Sequence, residues 1–217
     1  MEFKAAIFDL DGVIVDTVPI HFKAWKRMFT EYGKDFTFED YKQKVDGIPR
    51  IDGGRAILKD ISDEDLKKAC DRKQEYFLEF IEKEEIPAYD STLKLIKELQ
   101  SHSIKIANIS SSKNCKRLLK RINLIDEMEA IVDGTEITKG KPDPQVFLMA
   151  AERLKVKPED CLVFEDAVLG VEAAKRANML CVGIDRYNDP KRLKKADIIV
   201  SDLIEVDYNK LKDLFKK

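Results

Sequence analysis

No stretch of this 217-residue sequence approaches the roughly 20 apolar residues that a membrane span requires. A dominant charge is missing too. Lys and Arg number 39 against 41 Asp and Glu, and the net charge of -2 gives no electrostatic reason to expect nucleic acid or an acidic membrane as partner. No basic patch is interleaved with aromatic residues. The leading MEFKAAIFDLDG turns acidic after a short apolar run, with no long apolar region and no small-residue cleavage site, which argues against secretion. Cys70, Cys115, Cys161 and Cys181 are scattered and form no C-x-x-C pair, so the usual signature of zinc or redox chemistry is absent. They read as small core residues in a reducing compartment. Internal repeats, low-complexity tracts and Gly/Ser-rich linkers are lacking as well. The expectation left standing is a cytoplasmic globular monomer whose simplest partner is a small molecule.

What is present is a recurring pattern. Short apolar, β-branched runs occur at Ala5–Phe8, Ile104–Ile109, Ala130–Val132, Cys161–Phe164, Leu180–Ile184 and Ile198–Val200. Runs apolar on both faces predict strands of a parallel sheet covered on both sides. Helical spacing lies between them, as in Leu93, Ile96 and Leu99 after a candidate N-cap at Ser91, and in Val146, Phe147, Ala150, Ala151 and Leu154 after Pro144, which suits a first turn. This alternation predicts a doubly wound α/β sheet. The stretch from about Thr17 to Glu85 has no strand-like run. It holds a helix near Ile20–Tyr32 and a long one after Ser62, with Asp65 completing an approximate capping signature. The division expected is a core of residues 1–16 and 86–217, with an all-helical insert over 17–85.

Four separated segments carry candidate chemistry. The first strand ends in Phe8-Asp9-Leu10-Asp11-Gly12, and the carboxyl end of such a strand is where open α/β sheets bind ligands. Two carboxylates there make a hard oxygen site suited to Mg²⁺, and they also supply a nucleophile and a general acid–base. An acidic turn bent at Asp11-Gly12 is the bland alternative. Ser110, Ser111, Ser112, Lys113 and Asn114 follow the second strand and open a helix, where hydroxyls and backbone amides attract anions; plain serine capping is the alternative. Lys141, within Lys139-Gly140-Lys141-Pro142-Asp143-Pro144, offers a fixed positive charge to phosphate, although surface lysines are abundant. Glu165 and Asp166 end another strand and could complete a metal shell, with Asp166 as a mere N-cap on the other side of the scale.

Taken in order, DLDG, a strand-end serine, KGKPDP and a strand-end ED resemble the haloacid dehalogenase superfamily along the whole chain. Asp11 points to its phosphotransferases, because dehalogenating members lack an acid–base aspartate there. The stretch Asp16–Trp25, Gly47-Ile48-Pro49-Arg50, Arg72-Lys73 and Ser112-Lys113-Asn114 are similar to the β-phosphoglucomutase group, with its Rossmann-like core and helical cap. The resemblance implies that Asp9 attacks phosphorus and becomes transiently phosphorylated, and that Asp11 protonates the leaving oxygen and later deprotonates the acceptor. It implies Mg²⁺ on Asp9, the Asp11 carbonyl and Asp166, with Glu165 supporting the shell, and Ser110 and Lys141 on the transferring phosphoryl oxygens. An anionic carboxylate approaching an anionic phosphate needs such cations.

The insert bears on substrate. His21 and Trp25 share a helix face; Trp25 reads as packing or as a substrate contact, and the resemblance implies that His21 helps to position Asp11. Arg50 is a candidate clamp for a second phosphate, because guanidinium matches phosphate bidentately. Lys73 either reaches the sugar or is a solvated lysine. Ser112, Lys113 and Asn114 are candidates for holding the distal phosphate from the core side. A mutase that binds a bisphosphate in two orientations needs two such grips. Two departures stand out: Asp46, where several mutases carry lysine, and Ile51-Asp52-Gly53-Gly54-Arg55, where a polar stretch is usual, with Arg55 a candidate to compensate. The expectation is Mg²⁺-dependent phosphoryl transfer on a small sugar phosphate, by a β-phosphoglucomutase or by a phosphatase. A non-catalytic binding protein on the same fold is the reading from another class.

Overall fold

The computed structural model of the chain describes residues 1–45 and 48–216. In chain order its principal elements are β1 (Ala5–Asp9), α1 (Val18–Glu31), α2 (Phe38–Lys44), α3 (Arg50–Ile57), α4 (Asp63–Lys83), α5 (Asp90–Ser101), β2 (Lys105–Ile109), α6 (Cys115–Arg121), β3 (Ala130–Val132), α7 (Gln145–Leu154), β4 (Cys161–Glu165), α8 (Val168–Arg176), β5 (Leu180–Ile184), β6 (Ile198–Val200) and α9 (Tyr208–Asp213). They divide into two compact units, Met1–Asp16 with Ile86–Lys217, and Thr17–Glu85.

In the first unit the strands form one sheet in the order β3-β2-β1-β4-β5-β6, every neighbouring pair parallel. The chain builds outward from β1 on one side through β2 and β3, then restarts on the other side at β4. The switch point therefore lies between β1 and β4, beside the carboxyl ends where such sheets bind ligands. Every residue of β1 and of β4 is buried, as unbroken apolar runs require when both faces are covered. Phe8 and Phe164 stack with ring centroids 4.3 Å apart. From α7, Val146, Phe147, Ala150, Ala151 and Leu154 join Ile7, Ala107, Ile109 and Val163 in one buried cluster. Each large side chain so buried contributes about 1.5–3 kcal/mol, which outweighs the modest capping at the start of this helix.

Several local expectations are corrected. Ser91 is not an N-cap. The helix α5 begins at Asp90, two residues before a Ser91 cap would start it; Tyr89 stands at the cap, its amide donating to the Ile14 carbonyl at 2.9 Å, and Asp90 brings acidic charge to the first turn. Pro144 stands just before α7, its carbonyl accepting from Phe147 and Leu148 at 3.1 Å. Asp166 does not cap α8 either; that position is Ala167.

In the second unit, α1 buries Ile20, Ala24, Trp25, Met28 and Phe29, and α4 buries Leu66, Ala69, Cys70, Lys73, Tyr76 and Phe77. The Ser62 side chain accepts from the Asp65 amide at 3.1 Å, which fixes the start of α4 where the capping signature placed it. The short α2 carries a reciprocal box between Thr37 and Asp40. Gly53 and Gly54 explain the unusual sequence of α3. A β-carbon at Gly54 would meet Cys70 Sγ at 2.6 Å, so glycine lets this helix lie close against α4. Arg55 donates to the carbonyls of Leu58 and Ile61 at 3.1 and 2.7 Å and to Asp63 at 2.6 Å, so its guanidinium is committed to the turn between α3 and α4. Asp46 and Gly47 lie outside the described residues. Where the chain leaves the sheet unit and returns to it, the Asp16 amide donates to the Pro87 carbonyl at 2.8 Å and Val15 bridges Ala88.

Candidate active site

Parallel strands deliver their carboxyl ends to one edge, and three of the four sequence segments converge there directly. Asp9 is the last residue of β1, Ser110 follows β2 and Glu165 ends β4. The fourth, Lys141, arrives on the loop before α7, and its ammonium lies 5.6 Å from the centre of the Phe147 ring. Lys141 Nζ donates to Asp9 Oδ1 at 2.6 Å and also to Glu165 Oε1. The other Glu165 oxygen accepts from the Ala167 amide at 2.9 Å. Glu165 is fully buried, and Asp9 is 7 % exposed. Lys141 is therefore no surface lysine, and Glu165 is occupied as the counter-charge that holds it.

The turn after β1 is tight. The amides of Ile14 and Val15 donate to the Leu10 carbonyl at 2.9 and 3.0 Å, and the Gly12 amide donates to Val15 at 2.8 Å. Gly12 has φ +78°, in the left-handed region, and a β-carbon there would run into the Asp166 carboxylate. Glycine thus lets Asp166 lie flat against the backbone beside Asp11. The acidic bend and the carboxylate site are one and the same structure.

Charge at this edge is unbalanced. Burial pushes the Asp9 carboxyl well above the ordinary range; the Lys141 ammonium opposes this, and the carboxylates of Glu165, Asp11 and Asp166 add to it. Asp166 is pushed up to about 7 by burial and by Glu165, again against Lys141. Burial works against the charge on Lys141, but Asp9 and Glu165 outweigh it and hold the ammonium firmly protonated. Four acidic side chains around one lysine, all of them hard oxygen donors, suit a further divalent cation such as Mg²⁺. Among the described residues no three acidic, histidine or cysteine side chains already converge as a complete cage. Mg²⁺ does not need one, because it is held by one or two carboxylates and keeps several waters.

Ser110 is 1 % exposed. Its Oγ accepts from the Ser112 amide at 2.9 Å, and its own O–H remains a donor. Ser112 Oγ in turn accepts from the Asn114 amide at 3.1 Å, and α6 begins only at Cys115. The serines thus form a self-bonded turn ahead of a short helix. The expected row of free helix-end amides is reduced, because those of Ser112 and Asn114 are used within the turn. Lys113 is exposed, and Ser112 and Asn114 are partly so. Sequence reading missed Asn108. It is fully buried in β2, donates to the Phe8 carbonyl at 3.0 Å and accepts from the Cys115 thiol at 2.9 Å, tying the strand that carries Asp9 to the start of α6. The signal was available: it is the one polar residue between Ile106 and Ile109.

The helical unit holds the remaining candidates. Lys73 is 4 % exposed, not solvated. Its Nζ lies 2.9 Å from His21 Nδ1 and 5.1 Å from the ring centres of both Trp25 and Phe77. An ammonium only donates, so Nδ1 accepts and the ring proton sits on Nε2. Burial and the Lys73 charge together hold His21 well below the usual imidazole range, and its ring stacks on Phe77 at 4.2 Å. Trp25 is buried against Phe29 at 5.1 Å. Arg50 is exposed, donates to Gln74 at 2.8 Å and lies 3.7 Å from Asp71.

Residues 6–184 match the family described as haloacid dehalogenase-like hydrolase. The chain is 37% identical to the β-phosphoglucomutase of Bacillus subtilis over 83% of each sequence. It is 35% identical to the phosphorylated carbohydrates phosphatase of Thermotoga maritima, over 97% of this chain and 99% of that one. Its structure is similar to the crystal structure of β-phosphoglucomutase from Clostridium difficile, with a TM-score of 0.81, 29% identity, and coverage of 99% of this chain and 97% of that one. No helix among the described residues is long and apolar enough to cross a membrane. With an Asp-bearing central strand, a lysine bound to it and relatives of both kinds along nearly its whole length, the chain belongs to the haloacid dehalogenase-like hydrolase family, as a phosphatase or phosphotransferase of its β-phosphoglucomutase-like group.

Proposed function

We propose that the protein transfers the phosphoryl group of a small sugar phosphate through an aspartyl-phosphate on Asp9, and that it acts as a β-phosphoglucomutase on β-glucose 1-phosphate. The observation that carries this reading is the buried Asp9 carboxylate at the end of the central strand, held by Lys141 at 2.6 Å. An Asp9 oxygen attacks phosphorus, the bond from phosphorus to the sugar oxygen breaks, and Asp11 gives its proton to that oxygen. In the second half Asp11 takes the proton of the incoming hydroxyl as that oxygen attacks the phospho-aspartate, and Asp9 is regenerated. Lys141 offsets the repulsion between carboxylate and phosphate, and the Ser110 hydroxyl donates to a phosphoryl oxygen. Asp9, the Asp11 carbonyl and Asp166 are the groups that would hold Mg²⁺, which when bound supplies Lewis-acid neutralisation of the phosphoryl oxygens. Glu165 holds Lys141 in place.

On the helical unit, exposed Arg50 is assigned to a second phosphate, while Lys73 with His21 and Trp25 forms a preset group for the sugar side. Ser112, Lys113 and Asn114 serve the distal phosphate on the sheet unit. A second reading, a sugar-phosphate phosphatase with water as acceptor, is favoured by the near-complete match to a carbohydrate phosphatase. Phosphorus NMR with Mg²⁺ and β-glucose 1-phosphate, with and without a trace of glucose 1,6-bisphosphate, separates them. Glucose 6-phosphate appearing faster with the bisphosphate supports the mutase. Inorganic phosphate as the main product replaces it with the phosphatase, and an unchanged spectrum rejects both for this sugar.

A further inference from the structure

The loop after β5 places Arg186 beside the turn that carries Asp11. Its Nε donates to the Gly12 carbonyl at 2.8 Å. Its guanidinium lies 3.7 Å from the centre of the Tyr89 ring, and the Tyr89 amide donates to Ile14, on the same turn, at 2.9 Å. The side chain is only 16% exposed. One arginine and one aromatic ring thus grip the Leu10–Val15 turn from behind.

How Arg186 spends its donors is the informative part. An arginine beside a carboxylate normally forms a paired, two-pronged contact with it. The contacts of Arg186 with the next loop are long: Nη1 forms an ion pair with Asp202 at 3.7 Å and donates to the Ser201 carbonyl at 3.4 Å. The shortest bond goes instead to a backbone carbonyl, one residue past Asp11.

We propose that Arg186 is a positioning residue for the acid–base step: stacked on Tyr89 and bonded to the Gly12 carbonyl, it fixes the turn from which the Asp11 carboxyl is aimed. The inference rests on the reading of Asp11 as the acid–base group. It assigns no contact with substrate to Arg186; its effect passes through the Gly12–Val13 peptide, whose carbonyl it holds, to the turn that carries Asp11.

Leaving-group dependence tests it. The oxygen of a sugar phosphate needs a proton to depart, whereas the phenolate of p-nitrophenyl phosphate leaves without one. Rates of Asp9 phosphorylation are measured in single turnovers with Mg²⁺ and each of these two substrates, for the wild type, Asp11→Asn, Arg186→Ala and Arg186→Lys, alongside thermal unfolding. Asp11→Asn is expected to lose about 100-fold or more on the sugar phosphate and far less on the aryl ester. Arg186→Ala should show the same ordering at about 10- to 100-fold, with KM for the sugar phosphate nearly unchanged. Arg186→Lys keeps the charge but loses the planar stack, and should show the ordering in milder form; it carries the test if the alanine variant does not fold. Equal losses on both substrates in the Arg186 variants, while Asp11→Asn discriminates, overturn the positioning role and leave a structural tie. No discrimination by Asp11→Asn itself overturns the acid–base reading on which the inference stands.

Discussion

The Glu165 carboxylate lies directly over the α-carbon of Gly170, so close that a β-carbon at that position would run into it. Glycine is required there by approach rather than by dihedral angle. The carboxylate cannot step aside without giving up Lys141 on one oxygen and the Ala167 amide on the other. Gly170→Ala should cost about 1–3 kcal/mol through overpacking. It should also lower kcat by about 10-fold or more through displacement of Lys141. Thermal unfolding and steady-state rates check both, and a variant with wild-type melting and turnover would show that Glu165 is free to move.

Asp9→Asn should abolish turnover and leave no phosphoenzyme to trap with labelled substrate, because an amide is no nucleophile. Its stability should move the other way. The Asp9 carboxyl is raised in the folded state, so the folded protein holds that proton more tightly than the unfolded chain. The wild type therefore loses stability as pH rises from the ordinary aspartate value of about 3.9 towards the raised one. In metal-free buffer the variant, still able to accept from Lys141, should match the wild type in acid and exceed it at neutral pH. Denaturant unfolding at a series of pH values is the measurement, and parallel curves would contradict the expectation.

At the opposite edge of the sheet the sign is reversed. Asp160 accepts from the Glu2 amide at 2.7 Å and from Lys4 Nζ at 3.2 Å, and these contacts hold its carboxyl below the usual range. Its contribution is present above about pH 4 and fades as pH falls through the lowered native value. Asp160→Asn should cost about 1–2 kcal/mol at neutral pH, with less loss in acid, and kcat should stay at the wild-type level. A fall in turnover would mean that the two edges of the sheet are coupled.

His21 should stay neutral where ordinary histidines titrate, with its proton on Nε2. Burial is the larger cause and Lys73 the second, so Lys73→Met should raise the His21 midpoint only part of the way. Nitrogen-detected NMR of the ring reports both the midpoint and the tautomer. A wild-type His21 that protonates at the usual imidazole value would mean that neither its burial nor its contact with Lys73 persists in solution.

Much of this arrangement was legible because parallel strands announce themselves twice, by unbroken apolar runs and by the polar residues that end them. Asp9 and Glu165 each follow such a run directly, so sequence alone placed them at one edge. Distances between loops carry no such signature. That Lys141 meets both Asp9 and Glu165 follows from the path of the loop before α7, which no local pattern encodes. Ser91 misled for a related reason: a residue able to cap a helix is common, and tertiary contacts, here Tyr89 on Ile14, help decide where the helix starts. Arg186 had no signal at all, being an arginine after a strand until its partner carbonyl is known. Lys73 looked solvated because helix α4 is rich in charge, and only the rings of Trp25 and Phe77 show otherwise.

The bond from Asp16 to Pro87 and the bridge from Val15 to Ala88 pin the two ends of the Thr17–Glu85 segment side by side. A detour that departs and returns at the same point behaves like a cassette. It can be lengthened, replaced or exchanged as one continuous piece of gene without shifting a residue of the sheet that bears Asp9. On the proposed assignment of Arg50 and Lys73 to substrate, a chimaera carrying another helical cassette between Asp16 and Ile86 would change what is recognised while keeping Asp9 and its neighbours in place.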